Sequence, residues 1–176
     1  MRSNYFLTVL LAASIIASCT KEPEKVTQPV YTVCNGKASF SKNSTGAKID
    51  TLDNTFFTYD STYQTQQRAT RLDIRIIEES GNILVLTLTD LNNDSVPTPG
   101  FYSPSSLSRT GKMRYYNPNY QSSGYLADTV GITLTSFDQS SYACSGTFSG
   151  RLINPVKKDT INIRNGDFKS ICVSKI

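Results

Sequence analysis

The alternation in residues 70–89 constrains this chain more than any other stretch. Leu72, Ile74 and Ile76 alternate with Arg71, Asp73 and Arg75, and Leu84, Leu86 and Leu88 repeat the pattern after Ser80-Gly81-Asn82. A period of two sends successive side chains to opposite faces of a strand, so one face is buried and the other meets water. A three-residue turn containing glycine joins the two runs, which predicts a β-hairpin.

From residue 30 onward the same signals recur without an amphipathic helix. Strands are predicted at residues 30–34, 37–41, 54–59, 70–79, 83–89, 101–103, 112–116, 131–137, 142–152, 160–164 and 168–173. Asn35-Gly36 and Asn165-Gly166 mark tight turns or bulges, and Gly146 and Gly150 mark bulges or a close backbone approach. Composition agrees: the chain is rich in Ser, Thr and Tyr and only 18% charged, which suits pleated, half-exposed strands. Short strands with turn signals every 8–12 residues predict an all-β fold, an antiparallel β-sandwich of about ten short strands. An up-and-down, lipocalin-like barrel alternates in the same way and is the other expectation.

Residues 1–18 read as an export signal. Arg2 gives a positive start, and the apolar run that follows is shorter than the roughly 20 residues needed to span a bilayer. Ile16-Ala17-Ser18-Cys19 resembles the bacterial lipobox, in which cleavage frees a cysteine that carries a diacylglycerol. The resemblance implies lipidation of Cys19, with fatty acyl chains of the palmitate kind, and attachment to the outer membrane through covalent lipid. Residues 19–29, with two prolines and alternating charges, then form a tether of roughly 30 Å at about 3.1 Å per residue. The acids Glu22 and Glu24 partly match a surface-export signal, so the domain faces either the cell surface or the periplasm. Residues 30–176 form a single all-β domain.

The C-terminal third carries a second resemblance. Phe137-Asp138, Ser145-Gly-Thr-Phe-Ser149 and Asn165-Gly-Asp-Phe168 together resemble a family of uncharacterised Bacteroidota lipoproteins. The likeness covers about a quarter of the chain and implies an all-β lipoprotein without catalytic residues. Physically, Phe148 and Phe168 read as core plugs and the neighbouring glycines as backbone relief.

Much chemistry is excluded by composition. The chain has no histidine, which removes His-based triads and His-ligated zinc or haem. Cys34, Cys144 and Cys172 lie far apart without a C-x-x-C pair, so a disulfide is the expected use outside the cytoplasm, with Cys144–Cys172 favoured and buried free thiols the alternative. Among the acids, Glu78 and Glu79 are adjacent and so face opposite ways. Asp90 and Asp94 are the remaining candidates for a carboxylate-based carbohydrate hydrolase. The run Asp90–Asp94 opens like a calcium loop but has Ser95 and Phe101 where the turn glycine and bidentate glutamate belong, so no metal is expected. No cofactor is expected, and a net charge of +4 is too small and scattered for nucleic acid.

The most suggestive surface lies within residues 101–126, where Tyr102, Tyr115, Tyr116, Tyr120 and Tyr125 are interleaved with Arg109, Lys112 and Arg114. Aromatic faces can stack on sugars, and nearby cations can hold acidic groups. Five triplets, at Thr51, Ser61, Ser95, Thr129 and Thr160, each follow an aspartate and resemble the Bacteroidota O-glycosylation signal, where composition predicts about one. Turn preference at strand starts gives the same triplets without any sugar. The expected function is a non-catalytic binding or structural module whose partner is a glycan or surface protein. The alternatives are the hydrolase above and a small lipophilic-ligand carrier.

Overall fold

The alternating hairpin becomes β4 (Gln67–Glu78) and β5 (Ile83–Asp90), paired antiparallel in the register Leu72↔Leu88, Ile74↔Leu86 and Ile76↔Leu84. All six aliphatics are fully buried, each burial contributing about 1.5–3 kcal/mol. The structure, a computed structural model, describes residues 36–61, 67–91, 96–119 and 124–175. Among these residues every regular element is a β-strand.

The rest of the sheet grows outward from this hairpin. β3 (Ile49–Ser61) pairs with the free edge of β4, and β7 (Arg109–Tyr116) with that of β5. β8 (Tyr125–Asp138), β9 (Ala143–Ile153) and β10 (Thr160–Cys172) follow in chain order. β1 (Lys37–Lys42) returns to pair with β10 and carries the short β2 (Thr45–Gly46) on its other edge. β7 meets β8 only at Arg114↔Leu126 and Tyr115↔Tyr125, and the vacated edge of β8 is taken by β6 (Gly100–Tyr102). Finally β11 (Ser174–Lys175) pairs with β3, the one parallel contact among the described strands.

This is one sheet, a meander of neighbours in which the first strand lies beside the last long one. The all-β expectation holds, as a strongly curled, barrel-like sheet. Two features produce the curl. Only Val173 separates β10 from β11, so one run of chain pairs with β9 and β1 along most of its length and with β3 at its end. β10 also carries two bulges against β9, between Ile163 and Gly166 and between Phe168 and Ile171. Asn165 and Ser170 sit in them with φ of 51° and 48°, and such bulges bend a strand and increase its twist.

The bulges explain one difference from the sequence reading. The strands predicted at residues 160–164 and 168–173 are one bent strand, Thr160–Cys172, because Asn165-Gly166 makes a bulge and not a turn. β8 likewise starts at Tyr125 instead of near residue 131, its polar first turn hiding a strand that shifts register between Ala127 and Thr129. The strand predicted at residues 30–34 lies outside the described residues.

The phenylalanine-glycine motif is reciprocal. Phe148 lies opposite Gly166 and Phe168 opposite Gly146 in the β9–β10 ladder. Each ring lies over the glycine facing the other strand, and the two rings stack at 6.4 Å between centroids. The glycines relieve the backbone so that two large plugs fit side by side.

The expected Cys144–Cys172 bond is corrected. Cys144 is a free thiol, wholly buried, whereas Cys172 is disulfide-bonded. Ladder register gives the reason: Cys144 opposes Ile171, and Cys172 opposes Ala143, so the two thiols leave the sheet on opposite faces. Burial pushes the Cys144 thiol up to about 12, leaving it protonated and unreactive. Of four cysteines only Cys19 and Cys34, both outside the described residues, remain as partners of Cys172. Gly36 packs against Ile171, where an added Cβ would lie 3.0 Å from the Ile171 Cα, and Cys34 is only two residues away along the chain, a span short enough for its thiol to reach Cys172. Non-reducing peptide mapping is therefore expected to find Cys34 linked to Cys172, with Cys144 alkylated only after unfolding; a Cys19–Cys172 peptide overturns this.

Candidate functional site

The outward positions of β4, β5 and β7 form a grid. Registers place Arg71, Thr89 and Thr110 in one row, Asp73, Thr87 and Lys112 in the next, and Arg75, Val85 and Arg114 in a third. The outer columns thus carry the long side chains of Arg71, Arg75, Lys112 and Arg114, and the middle one carries only Val85, Thr87 and Thr89. Long flanking short makes a groove of about 630 Å³ running along β5. Its rims stand two strand spacings apart, about 10 Å, and same-face residues along each rim recur every 7 Å or so.

Its electrostatics are lopsided. Four of the lining residues are cations, and one, Asp73, is a carboxylate. Asp73 is buried and already satisfied: Arg71 Nε donates to Oδ1 at 3.1 Å, and the Thr87 hydroxyl donates to the same oxygen at 2.6 Å. On the opposite rim Lys112 and Arg114 are exposed, and the Arg114 guanidinium lies 5.4 Å from the centre of the Tyr116 ring. Leu126, half exposed and opposite Arg114 in register, extends the floor beyond that rim. The arrangement can hold negative charge beside an aromatic and aliphatic surface.

Of the predicted ligand-binding residues, the groove takes Tyr116 and Arg114. Tyr102 and Tyr115 are corrected, because both are buried on the opposite, core-facing side. Tyr120 lies outside the described residues. The tyrosines of this region divide by strand parity: Met113 and Tyr115 face inward, and Arg114 and Tyr116 outward.

Tyr102 and Tyr115 each anchor a buried polar cluster. The Tyr102 hydroxyl donates to the Thr98 carbonyl at 2.6 Å and lies 3.4 Å from Asp90, which also accepts from the Thr98 N–H at 3.2 Å. Arg109 stands 3.8 Å from Asp90 Oδ2. The hydrolase candidate Asp90 is therefore fully buried inside a structural cluster; Asp94 lies outside the described residues. Tyr115 donates to Glu78 at 2.9 Å and accepts from Lys42 Nζ at 2.6 Å.

Burial, aided by the nearby carboxylates, raises the pKa of both tyrosines above the ordinary 10.0. Each proton is held more tightly in the folded state, so the linked stability is fully present below about pH 10 and drains away as pH rises beyond it. Unfolding free energies from urea melts are expected to fall above pH 10 more shallowly for Tyr115→Phe than for the parent, by up to about 1.4 kcal/mol per pH unit. Identical slopes would show that Tyr115 ionises as easily folded as unfolded.

The five glycosylation candidates fall unevenly. Thr129 and Thr160 are exposed on β8 and at the start of β10. Their aspartates have local partners: Asp128 pairs with Arg151, and Asp159 accepts from the Tyr125 hydroxyl at 2.7 Å. Thr51 and Ser61 lie on β3, but their side chains, and all of Ser95, lie outside what the structure describes. Sequence reasoning pointed to Lys112 beside Arg114 but nominated neither Arg71 nor Arg75. The available signal was the outward half of the same alternation that revealed the hairpin.

No protein-family model, no curated protein and no solved structure matches the chain.

Proposed function

We propose that this chain is a lipid-anchored, non-catalytic binding module of the outer membrane, and that the outer face of β4, β5 and β7 is its recognition surface for an anionic ligand. The observation that carries the reading is the groove itself, with four cations, Tyr116 and an aliphatic floor on one continuous face. Burial of Asp90 among Thr98, Tyr102 and Arg109 favours binding over carboxylate catalysis. The continuous packed core of β4, β5, β8 and β10 favours a ligand on the outside over a lipophilic one within.

The cysteine inventory supports the anchor. Cys144 is enclosed and Cys172 is disulfide-bonded, and with Cys34 the expected partner, Cys19 is left for lipid. The resemblance to Bacteroidota lipoproteins fits the same home. The test uses the detergent-solubilised full chain on an immobilised carboxylated polymer at physiological salt. Lys112→Glu/Arg114→Glu is expected to abolish retention, and retention equal to the parent would sink the reading. Loss of palmitate labelling in Cys19→Ser checks the anchor separately.

A further inference from the structure

With the groove taken as the anion-binding surface, we propose that its ligand is a linear acidic polysaccharide, lying lengthwise along β5 between the two rims. The trough gives the direction. Val85, Thr87 and Thr89 form a low floor along one strand, while Lys112, Arg114 and Tyr116 rise on one side and Arg71 and Arg75 on the other. A compact anion would use one cation. Lys112 and Arg114, one same-face repeat apart on a single rim, favour charges spaced along a chain.

The face of a sheet also discriminates among polymers. Backbone N–H and C=O groups of β4 and β5 are consumed in ladders on both sides, so an extended peptide laid on the floor finds no main-chain partners there for its own amides. A polysaccharide has no such demand. Its carboxylates reach Lys112 and Arg114, its ring faces meet Tyr116 and Val85, and its remaining hydroxyls stay in water. Asp73, the one carboxylate among the described lining residues, is buried and held by Arg71 and Thr87, which keeps it from projecting into the path.

The test measures affinities of the detergent-solubilised full chain for polygalacturonate, dextran and polyglutamate at physiological salt. Polygalacturonate is expected to bind, dextran not to bind, and polyglutamate to bind about tenfold more weakly or worse. Arg114→Ala should weaken polygalacturonate about tenfold, the loss of one charge-assisted contact. Val85→Arg and Thr89→Arg are the deciding variants. Each adds a cation yet fills the floor, so a lengthwise ligand binds them more weakly, whereas undirected charge attraction binds them more tightly. Tighter binding by either folded variant, or polyglutamate equal to polygalacturonate, overturns the polysaccharide inference and leaves the anion-binding groove standing. Failure of every anionic polymer, with the Lys112→Glu/Arg114→Glu variant indistinguishable from the parent, overturns both.

Discussion

Adding one methyl group at Gly146 or at Gly166 is expected to destabilise the protein by about 3 kcal/mol, lowering its melting temperature by roughly 10 °C. A Cβ at Gly166 would lie 2.5 Å from the Phe148 ring and 2.6 Å from the Phe148 carbonyl oxygen. At Gly146 it would meet the Phe168 ring at 2.5 Å and, closer still, the Thr133 carbonyl oxygen. A ring can turn aside, but a carbonyl fixed in a central ladder cannot. Trimming the ring should therefore fail to rescue: Gly146→Ala/Phe168→Leu is expected to be no more stable than Gly146→Ala alone. Gly131→Ala is the contrast, since its new methyl would touch only the ring of Phe101, which is 59% exposed and free to shift, and the cost should stay near 0.5 kcal/mol. Urea denaturation of the four variants checks all of this. A Gly146→Ala variant within about 1 kcal/mol of the parent would mean that β9 and β10 are not held in the close register described.

The same two strands show what sequence can and cannot reveal. Serine-glycine and asparagine-glycine beside phenylalanine announced large plugs and backbone relief, and the ladder joins them as reciprocal pairs. The local pattern could not say whether Asn165-Gly166 reverses the chain or bends it, because an αL residue serves both. Only the partner strand decides, and β9 runs past both halves of β10. The hairpin at residues 70–89 was legible because its alternation is strict and its inward residues are all aliphatic. The tyrosines were misread for a related reason. Tyrosine suits either face, and only strand parity separates Tyr115 from Tyr116. Cys144 and Cys172 likewise look like partners until register shows them on opposite faces. The groove was half visible: charged residues on the outward half of β4 and β7 were plain, but their apposition across the short side chains of β5 is a property of strand order.

Replacing Lys42 by methionine is expected to cost about 3 kcal/mol at neutral pH, although lysine is ordinarily dispensable on a surface. The carboxylate it faces explains the size. Glu78 is 4% exposed and accepts from Lys42 Nζ at 3.0 Å, Tyr115 at 2.9 Å, Ser80 at 2.9 Å and Asn82 at 3.4 Å. It joins β1, β4 and β7 to the β4–β5 turn, while its neighbour Glu79 points outward to the exposed Lys48. Without Lys42 the carboxylate keeps its neutral donors but loses the cation beside it, and an uncompensated buried charge is expensive. The reverse deletion is milder: in Glu78→Ala the Lys42 ammonium, already partly exposed, can turn to water, so a loss of about 1–2 kcal/mol is expected. Lys42→Met/Glu78→Gln should recover most of the stability, because the amide has no charge to strand and still accepts from Tyr115 and Ser80. A deficit below about 1 kcal/mol that the glutamine substitution leaves unchanged would place Glu78 in contact with solvent, and the junction of β1 with β4 and β7 would then need no charge to hold it.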